Sequence, residues 1–388
     1  MHKRGFLTGV VAAAFGLSAF SALAQDTVKI GLILPMTGPF ASTGRQIDAA
    51  VKVYMAKHGS TVAGKKIEII LKDDAGTADT TRRLAQELVV NDKVAIIAGF
   101  GLTPLAFATA PIATQAKVPM VVMAAATSSI TEQSPFIVRS GFTLPQITMP
   151  IAEWAAKNGI KKAVTLVTDY GPGIDAETQF KKTFTASGGT VAAELRVPLK
   201  NPDFAPFLQR VRDASPDAVF VFVPSGVGSI FMKQFAERGL DKSGIKLIGT
   251  GDVTDDDILN DMGDVALGVI NSMHYSAAHD SALNKEYVAA MRKTANLRAN
   301  FHSVGGYDGM HLIYKALEAT KGDTNGEALL NAMKGMSWES PRGPMSIDRD
   351  TRDVTQNVYV RRVEKRDGQL WNIEFQTVPN VKDPGKQK

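Results

Sequence analysis

The chain alternates short runs of apolar residues with longer stretches of mixed polarity. In the first third, mostly apolar runs occupy positions 28–34, 67–71, 94–97 and 120–123, interrupted by Lys29 and Glu68. Continuous apolar runs of this length indicate strands that are buried on both faces. The stretches between them have helical spacing and predict helices at 47–57, 80–91 and 104–115.

The same alternation starts again after Pro145. It predicts strands at 163–168, 190–197, 218–223 and 246–248, and helices at 147–158, 175–187, 204–214 and 227–238. A chain of 388 residues is also long for a single core. The pattern therefore predicts an α/β fold with two doubly wound, Rossmann-like lobes in series.

The last third has too few strands to form a third domain. Three helical segments at 281–334 and a hairpin at 358–375 must dock on the two lobes. The chain should then cross between lobes near 139–144, 271–276 and 340–344. The predicted lobes are 25–141 with 272–342 and 142–271 with 343–388, joined by a multi-strand hinge that suits closure around a ligand.

The first residues have the features of an export signal. Lys3 and Arg4 precede a mostly apolar run, and Ala22-Leu23-Ala24 has the small-x-small form of a cleavage site. The run is shorter than the roughly 20 apolar residues that span a bilayer. We predict a signal peptide at 1–24, cleavage near Ala24 and a periplasmic product.

Composition excludes several classes of protein. The chain has no cysteine, so it has no disulfide framework, and its net charge of +5 comes from dispersed lysines and arginines. Nucleic acid binding is therefore not expected. The basic residues at 361–362 and 365–366 are interpreted as a solvated strand edge.

Motifs of catalysis and of cofactor binding are lacking in the sequence. It contains no GxSxG, no HExxH and no histidine spacing typical of a metal site. Gly99-x-Gly101 lacks the third glycine of a dinucleotide-binding loop. We predict a binding protein without a cofactor and not an enzyme, although an active site of dispersed residues would escape this search.

Ligands of open parallel sheets bind beyond the carboxyl ends of the strands, which directs attention to three loops of the first lobe. PMTGPFASTG contains Phe40, and Ser42 or Thr43 could cap the next helix. GFGLTP carries Leu102 and Thr103, and MAAATSSITE carries Ala124, Ala125 and Thr127. Amides at a helix start and hydroxyls of this kind favour an anion.

Loops of the second lobe should face these across a cleft. TDYGPG places Tyr170 at a strand end, where its ring either covers an apolar ligand or belongs to the core. GTGDVTDDD places Asp252 nearest to its strand, whereas Asp255, Asp256 and Asp257 are expected in the first turn of a helix.

Several of these motifs together carry a resemblance to a known family. VKIGLILPMTGPFASTG, GFGLT, MAAATSSIT, TDYGPG and the late GGYDGMHLIYKALE resemble the periplasmic solute-binding proteins of ABC importers, of the leucine/isoleucine/valine-binding type (type I periplasmic binding proteins). The resemblance implies that the lobes close on a small carboxylate-bearing solute, which membrane permease subunits then receive. A ligand sensor or a hydrolase on the same fold is the alternative.

The resemblance also implies roles for residues. Thr103, Ala124, Ala125 and Thr127 match positions that hold the ligand carboxylate, and Tyr170 matches an aromatic that covers the ligand. Gly251 stands where amino-acid binders align an acid, with Asp252 beside it, and Pro224-Ser225-Gly226 replaces a usual aromatic. The ligand is then either an amino acid held by Asp252 or an aromatic or aliphatic acid without an amine. The predicted ligand-binding residues are Phe40, Leu102, Thr103, Ala124, Ala125, Thr127, Tyr170, Ser225 and Asp252.

Overall fold

The structure is a computed structural model that describes residues 26–386. The predicted signal peptide and its cleavage site lie outside these residues. Within them, the search for helices that are both long enough and apolar enough to cross a bilayer finds none.

The first lobe is built on a six-stranded sheet. Its strands are β1 (Thr27–Leu34), β2 (Thr61–Val62), β3 (Lys65–Asp73), β4 (Ile96–Gly99), β5 (Met120–Val122) and β6 (Ile137–Arg139). Their order is β2-β3-β1-β4-β5-β6, and every pair except β2–β3 is parallel. The helices that connect them are α1 (Ala41–His58), α2 (Ala78–Val90) and α3 (Thr103–Ala116).

The second lobe contains the longer sheet. Its first strands are β7 (Lys162–Thr168), β8 (Thr190–Val197), β9 (Ala218–Phe222), β10 (Lys246–Thr250) and β11 (Ile270–Met273). The helices here are α4 (Leu144–Lys157), α5 (Gly171–Ala186), α6 (Ala205–Ala214), α7 (Gly228–Glu237) and α8 (Leu259–Met262). The five strands are parallel in the order β11-β10-β9-β7-β8.

The end of the chain adds to both lobes, as the sequence predicted. Helices α9 (Ala282–Ala295), α10 (Phe301–Ala319) and α11 (Gly326–Met333) form a group in which α9 and α10 pack on α1 and α11 packs on α10. Strands β12 (Ser337–Ser340), β13 (Gly343–Ile347), β14 (Val354–Arg366) and β15 (Gln369–Val381) extend the second sheet in antiparallel pairs.

The α/β prediction is confirmed, with two differences in its details. Five short strands, β2, β6, β11, β12 and β13, were not predicted, because runs of two to five residues carry little periodicity. The hairpin β12–β13 pairs in the second sheet, but Trp338 and Ser340 also donate hydrogen bonds to Asp308 in α10, over 2.9 and 2.8 Å. This hairpin contacts both lobes, and the predicted lobe boundaries stay a prediction.

Buried arginines form hydrogen bonds and ion pairs with the segments that cross between the lobes. Arg342 donates to the carbonyl of Gly141 over 2.9 Å and pairs with Asp308 over 2.8 Å. Arg139 pairs with Asp353 over 2.6 Å, and the side chains of both residues are fully buried. Charged groups at such depth need partners, so these pairs fix the connecting segments.

The expectation of a solvated basic edge was wrong for Arg361. Strand β14 is flanked by β11 and β15, so it is not an edge, and Arg361 is fully buried. Its guanidinium donates to Asn271 over 2.8 Å and lies 3.9 Å from Asp256. The other three basic residues of the cluster, Arg362, Lys365 and Arg366, are exposed to solvent.

Candidate functional site

A cavity lies between the two lobes, at the carboxyl ends of the central strands. This is where open parallel sheets bind ligands. Eight of the nine predicted ligand-binding residues line it, namely Phe40, Leu102, Thr103, Ala124, Ala125, Tyr170, Ser225 and Asp252. Thr127 is the exception: it lies behind Thr103, and the two hydroxyl oxygens are 2.8 Å apart in a hydrogen bond.

The first lobe contributes a wall of small residues. Thr103 is the first residue of α3, and Ala124, Ala125 and Ala126 follow β5. The amide of Ala125 donates to the carbonyl of Phe100 over 2.9 Å, whereas in the described chain the amides of Ala124 and Ala126 donate to no other backbone group. Two amides and the Thr103 hydroxyl are thus placed to hold an anion.

Arg139 orients the loop of this wall from behind. Its guanidinium donates to the carbonyl oxygens of Ala125, over 2.5 Å, and Thr127, over 2.7 Å. These carbonyls are therefore bonded to the guanidinium and are not left to repel an anion. The carboxylate of Asp353 fixes Arg139 in turn, over 2.6 Å.

The second lobe contributes aromatic rings. Tyr170 precedes α5, and its ring stacks on Phe222 with 6.1 Å between ring centres and 25° between planes. Pro172 and Pro224 extend this apolar surface. Burial, and then the charge of Asp252, raise the pKa of Tyr170, which therefore stays protonated and can donate a hydrogen bond.

Asp252 reaches the cavity from the end of β10. It is 4% exposed, and Thr250 donates a hydrogen bond to its Oδ2 over 2.8 Å. Burial raises the pKa of the Asp252 carboxyl to about 7. In this environment the carboxyl accepts hydrogen bonds in either protonation state.

The structure explains why the neighbouring position is a glycine. A Cβ placed on Gly251 would lie 2.1 Å from Nη2 of Arg361 and 2.8 Å from the Cβ of Met273. No side chain fits there unless Arg361 moves. Asp252 is therefore the acid that this loop presents to the cavity.

The three acids after Asp252 are not in the first turn of a helix, contrary to expectation. They precede α8, and Asp255 and Asp256 are buried. Asp255 accepts hydrogen bonds from Ser225 over 2.6 Å and from Asn300 over 3.0 Å, and its burial raises its pKa to about 7. Ser225 therefore lines the cavity, but its hydroxyl proton is donated to Asp255 and not to the cavity.

The start of α1 also differs from the prediction. Phe40 is the residue that precedes the helix, and neither Ser42 nor Thr43 caps it. Ser42 donates instead to Asp257 of the second lobe, and Gln46 donates to the other oxygen of Asp257 over 3.1 Å. These two hydrogen bonds join the lobes at one side of the cavity, while Phe40 and Thr43 line it.

The two lobes also meet beside the cavity. The amide of Ser128 donates to Asp175 of α5 over 2.8 Å. A Cβ on Gly171 would lie 2.5 Å from the hydroxyl oxygen of Thr127. Glycine at 171 thus lets the second lobe approach the Thr103–Thr127 pair, and the arrangement described is a closed one.

Sequence reasoning missed several residues that line the cavity. Phe142 comes from the first crossing, Phe222 from within β9 and His302 from the first turn of α10. Burial lowers the pKa of His302 to about 3, so its ring is neutral, and its Nδ1 has no partner in the described chain. No motif marks these positions, because their place depends on contacts between distant segments.

The cavity is lined by neutral side chains and the carboxyl of Asp252. Of residues 26–386, no lysine or arginine lines it. A search of the same residues for groups of three or more histidine, aspartate or glutamate side chains that could hold a metal ion finds none. Its walls offer amides, hydroxyls and one buried carboxyl among aromatic rings.

Comparison with known proteins gives consistent matches along nearly the whole chain. A family model described as periplasmic binding protein matches residues 27–369. Leu/Ile/Val-binding protein homolog 6 of Brucella melitensis is 47% identical over 379 residues, which are 96% of this chain and 97% of that protein.

Two solved structures are similar in both sequence and fold. A solute-binding protein of an ABC transporter from Rhodopseudomonas palustris BisB5, in complex with 3,4-dihydroxybenzoic acid, is 66% identical with a TM-score of 0.92, covering 93% of this chain and 100% of that one. Another from Rhodopseudomonas palustris, in complex with 4-hydroxybenzoate, is 45% identical with a TM-score of 0.91, covering 93% and 99%.

Proposed function

The chain belongs to the periplasmic binding protein family and is a solute-binding component of an ABC transporter, and on that premise we propose that its ligand is a small aromatic carboxylic acid. The lobes close on the acid in the periplasm, and the closed form delivers it to the membrane permease. A signal peptide at 1–24 would provide the export that this location requires.

The composition of the cavity carries this proposal. The rings of Phe40, Phe142, Tyr170 and Phe222 line the cavity, and flat rings pack well against a flat ligand. The Thr103 hydroxyl and the loop amides offer donors to a carboxylate without a competing cation. A carboxylate attached to an aromatic ring matches both halves of this surface.

The two Rhodopseudomonas proteins support the same ligand class. Each was solved with a hydroxylated benzoic acid, and each covers 93% of this chain with a TM-score above 0.9. Substitution of the usual aromatic by Pro224-Ser225-Gly226 and of the usual acid by Gly251 also fits a ligand other than an α-amino acid.

Binding would act through closure of the hinge. Ligand that bridges the two walls stabilises the closed state, because it contacts both lobes only there. The hydrogen bonds of Ser42 and Gln46 to Asp257 belong to this closed arrangement. The protein changes the conformational population and leaves the ligand chemically unchanged.

A branched-chain amino acid is the second candidate, favoured by one observation. Asp252 is a buried carboxyl on the cavity wall, and an ammonium would keep it ionised. Against this, the positive charge of Arg361 already offsets part of the rise in the pKa of Asp252 that burial causes. The backbone of Gly251 packs against the Arg361 guanidinium.

Calorimetric titration with a panel of ligands tests the proposal. We expect micromolar or tighter binding of benzoic acids and much weaker binding of leucine, isoleucine and valine. A ligand at a hundred times its dissociation constant adds about 2.7 kcal/mol to the free energy of unfolding, so thermal melting gives a second measure. Preference for the amino acids would overturn the proposal, and recovery of an altered compound would indicate an enzyme.

A further inference from the structure

Two polar groups face the cavity at its second-lobe end without a full set of partners. The hydroxyl of Tyr170 forms no hydrogen bond within the described chain, and Thr250 is the only described side chain that donates to Asp252. Both residues line the same cavity, and the Tyr170 ring is held there by its stacking on Phe222. One is a donor and the other an acceptor.

A hydroxyl is the ligand group that matches such a pair. It donates one hydrogen bond, which Asp252 can accept, and it accepts another, which Tyr170 can donate. An ammonium only donates and a carboxylate only accepts, so each would satisfy one of the two groups. An unsubstituted ring edge would leave the Tyr170 hydroxyl without a partner and Asp252 with Thr250 alone, which is unfavourable.

We propose that Tyr170 and Asp252 together recognise a hydroxyl group on the ring of the ligand, so that the protein selects hydroxylated aromatic acids over benzoate. The inference rests on the proposed function, because it assumes that the carboxylate binds at the wall of Thr103, Ala124 and Ala126. The ligand then spans the cleft, with its carboxylate on the first lobe and its hydroxyl on the second. The hydroxyl thereby contributes to closure as well as to affinity.

Calorimetry of the mature protein with benzoate, 3-hydroxybenzoate, 4-hydroxybenzoate and 3,4-dihydroxybenzoate tests this directly. The measured quantity is the ratio of the dissociation constant of benzoate to that of the best hydroxybenzoate. We expect a ratio of about 10 to 100, because hydrogen bonds to a charged or buried group contribute this much. A methoxy analogue of the best ligand, which accepts but cannot donate, should lose most of the gain.

Variants identify the residues responsible. Tyr170→Phe removes the donor and Asp252→Leu removes the acceptor, and each should bring the ratio to within about threefold of one. Asp252→Ala also removes the acceptor and serves if the leucine variant does not fold, whereas asparagine would keep an acceptor oxygen. Tyr314→Phe is the matched control, because the Tyr314 hydroxyl donates to the carbonyl of Gly59 away from the cleft, and it should keep the wild-type ratio.

The outcomes separate this inference from the proposed function. If none of the aromatic acids binds, both are wrong. If benzoate binds as tightly as every hydroxybenzoate, or if the ratio persists in both the Tyr170→Phe and the Asp252 variants, the hydroxyl site is wrong and the aromatic-acid function stands. A ratio that falls equally in Tyr314→Phe also overturns it, since the effect would not be local.

Discussion

The two walls of the cleft are built from different chemistry. The first-lobe wall is centred on a loop of small residues that Arg139 fixes from behind, with Phe40 and Leu102 beside it. The second-lobe wall consists of rings and a buried carboxyl, with further buried acids behind it. The first wall thus presents oriented neutral hydrogen-bond donors, whereas the second presents a flat aromatic surface and a hydrogen-bond acceptor. We infer that the first recognises the carboxylate and the second distinguishes what the carboxylate is attached to.

Replacing Arg139 should have the largest effect on stability. Arg139→Leu would leave the buried carboxylate of Asp353 with Lys386 as its one cationic partner among the described residues, and would free the carbonyls of Ala125 and Thr127. Removal of one partner of a buried pair typically costs about 3–5 kcal/mol. Urea unfolding measures this change in the free energy of unfolding, and Arg82→Leu, at an exposed position, is the control. A decrease of less than about 1 kcal/mol would show that the first wall does not depend on Arg139.

The second wall should respond to pH through Asp252. Its folded pKa of about 7 exceeds the ordinary 3.8, so the folded state binds the proton more tightly, and wild-type stability falls as pH rises from about 4 to 7. Asp252→Asn removes this loss. The variant should match wild type near pH 4 and exceed it by up to about 4 kcal/mol at pH 8. In chemical unfolding, the difference between the exposed Asp264→Asn and wild type should stay constant across this pH range.

Gly251→Ala tests how tightly the second wall is packed. The added methyl group would meet the guanidinium of Arg361 and the side chain of Met273. Overpacking of this kind costs about 1–3 kcal/mol, and the thermal midpoint should fall accordingly. An unchanged midpoint would mean that Arg361 moves freely, and the absence of an acid at this position would then need another reason.

Thr103→Val should have the smallest effect on stability and a clear effect on binding. It removes the hydroxyl that bonds to Thr127 and faces the cavity, so stability should fall by about 1 kcal/mol and affinity for benzoate by about fivefold to tenfold. Thr109→Val is the matched control on the same helix, since its hydroxyl donates to the carbonyl of Leu105. Equal loss of affinity in both variants would contradict a direct role for Thr103.

The strands that support the cleft were predictable because their apolar runs are continuous. The loops that follow β1, β4, β5, β7 and β10 could then be chosen as binding loops, since the rule for parallel sheets depends only on strand direction. The burial of Arg361 was not predictable. It depends on the pairing of β14 with β11, which lie some ninety residues apart in sequence.

The remaining errors have the same origin. The sequence does not show that the Ser225 hydroxyl donates to Asp255. It also does not show that His302 packs against Phe142 of the first crossing. Acids at 255–257 look like helix-starting residues because local sequence cannot reveal Asn300 and Gln46 as their partners. Local pattern predicts elements, whereas partners from distant segments determine which polar atoms stay free.

The bonds that Ser42 and Gln46 make to Asp257 have a consequence for transport when no cargo is present. They join the lobes without touching what fills the cavity, so in the proposed mechanism they favour shutting whether or not an acid has been captured. The strength of these bonds therefore determines what fraction of the ligand-free protein is closed and able to bind the transporter. Weakening these bonds would lower the affinity for the ligand and would reduce the binding of ligand-free protein to the transporter.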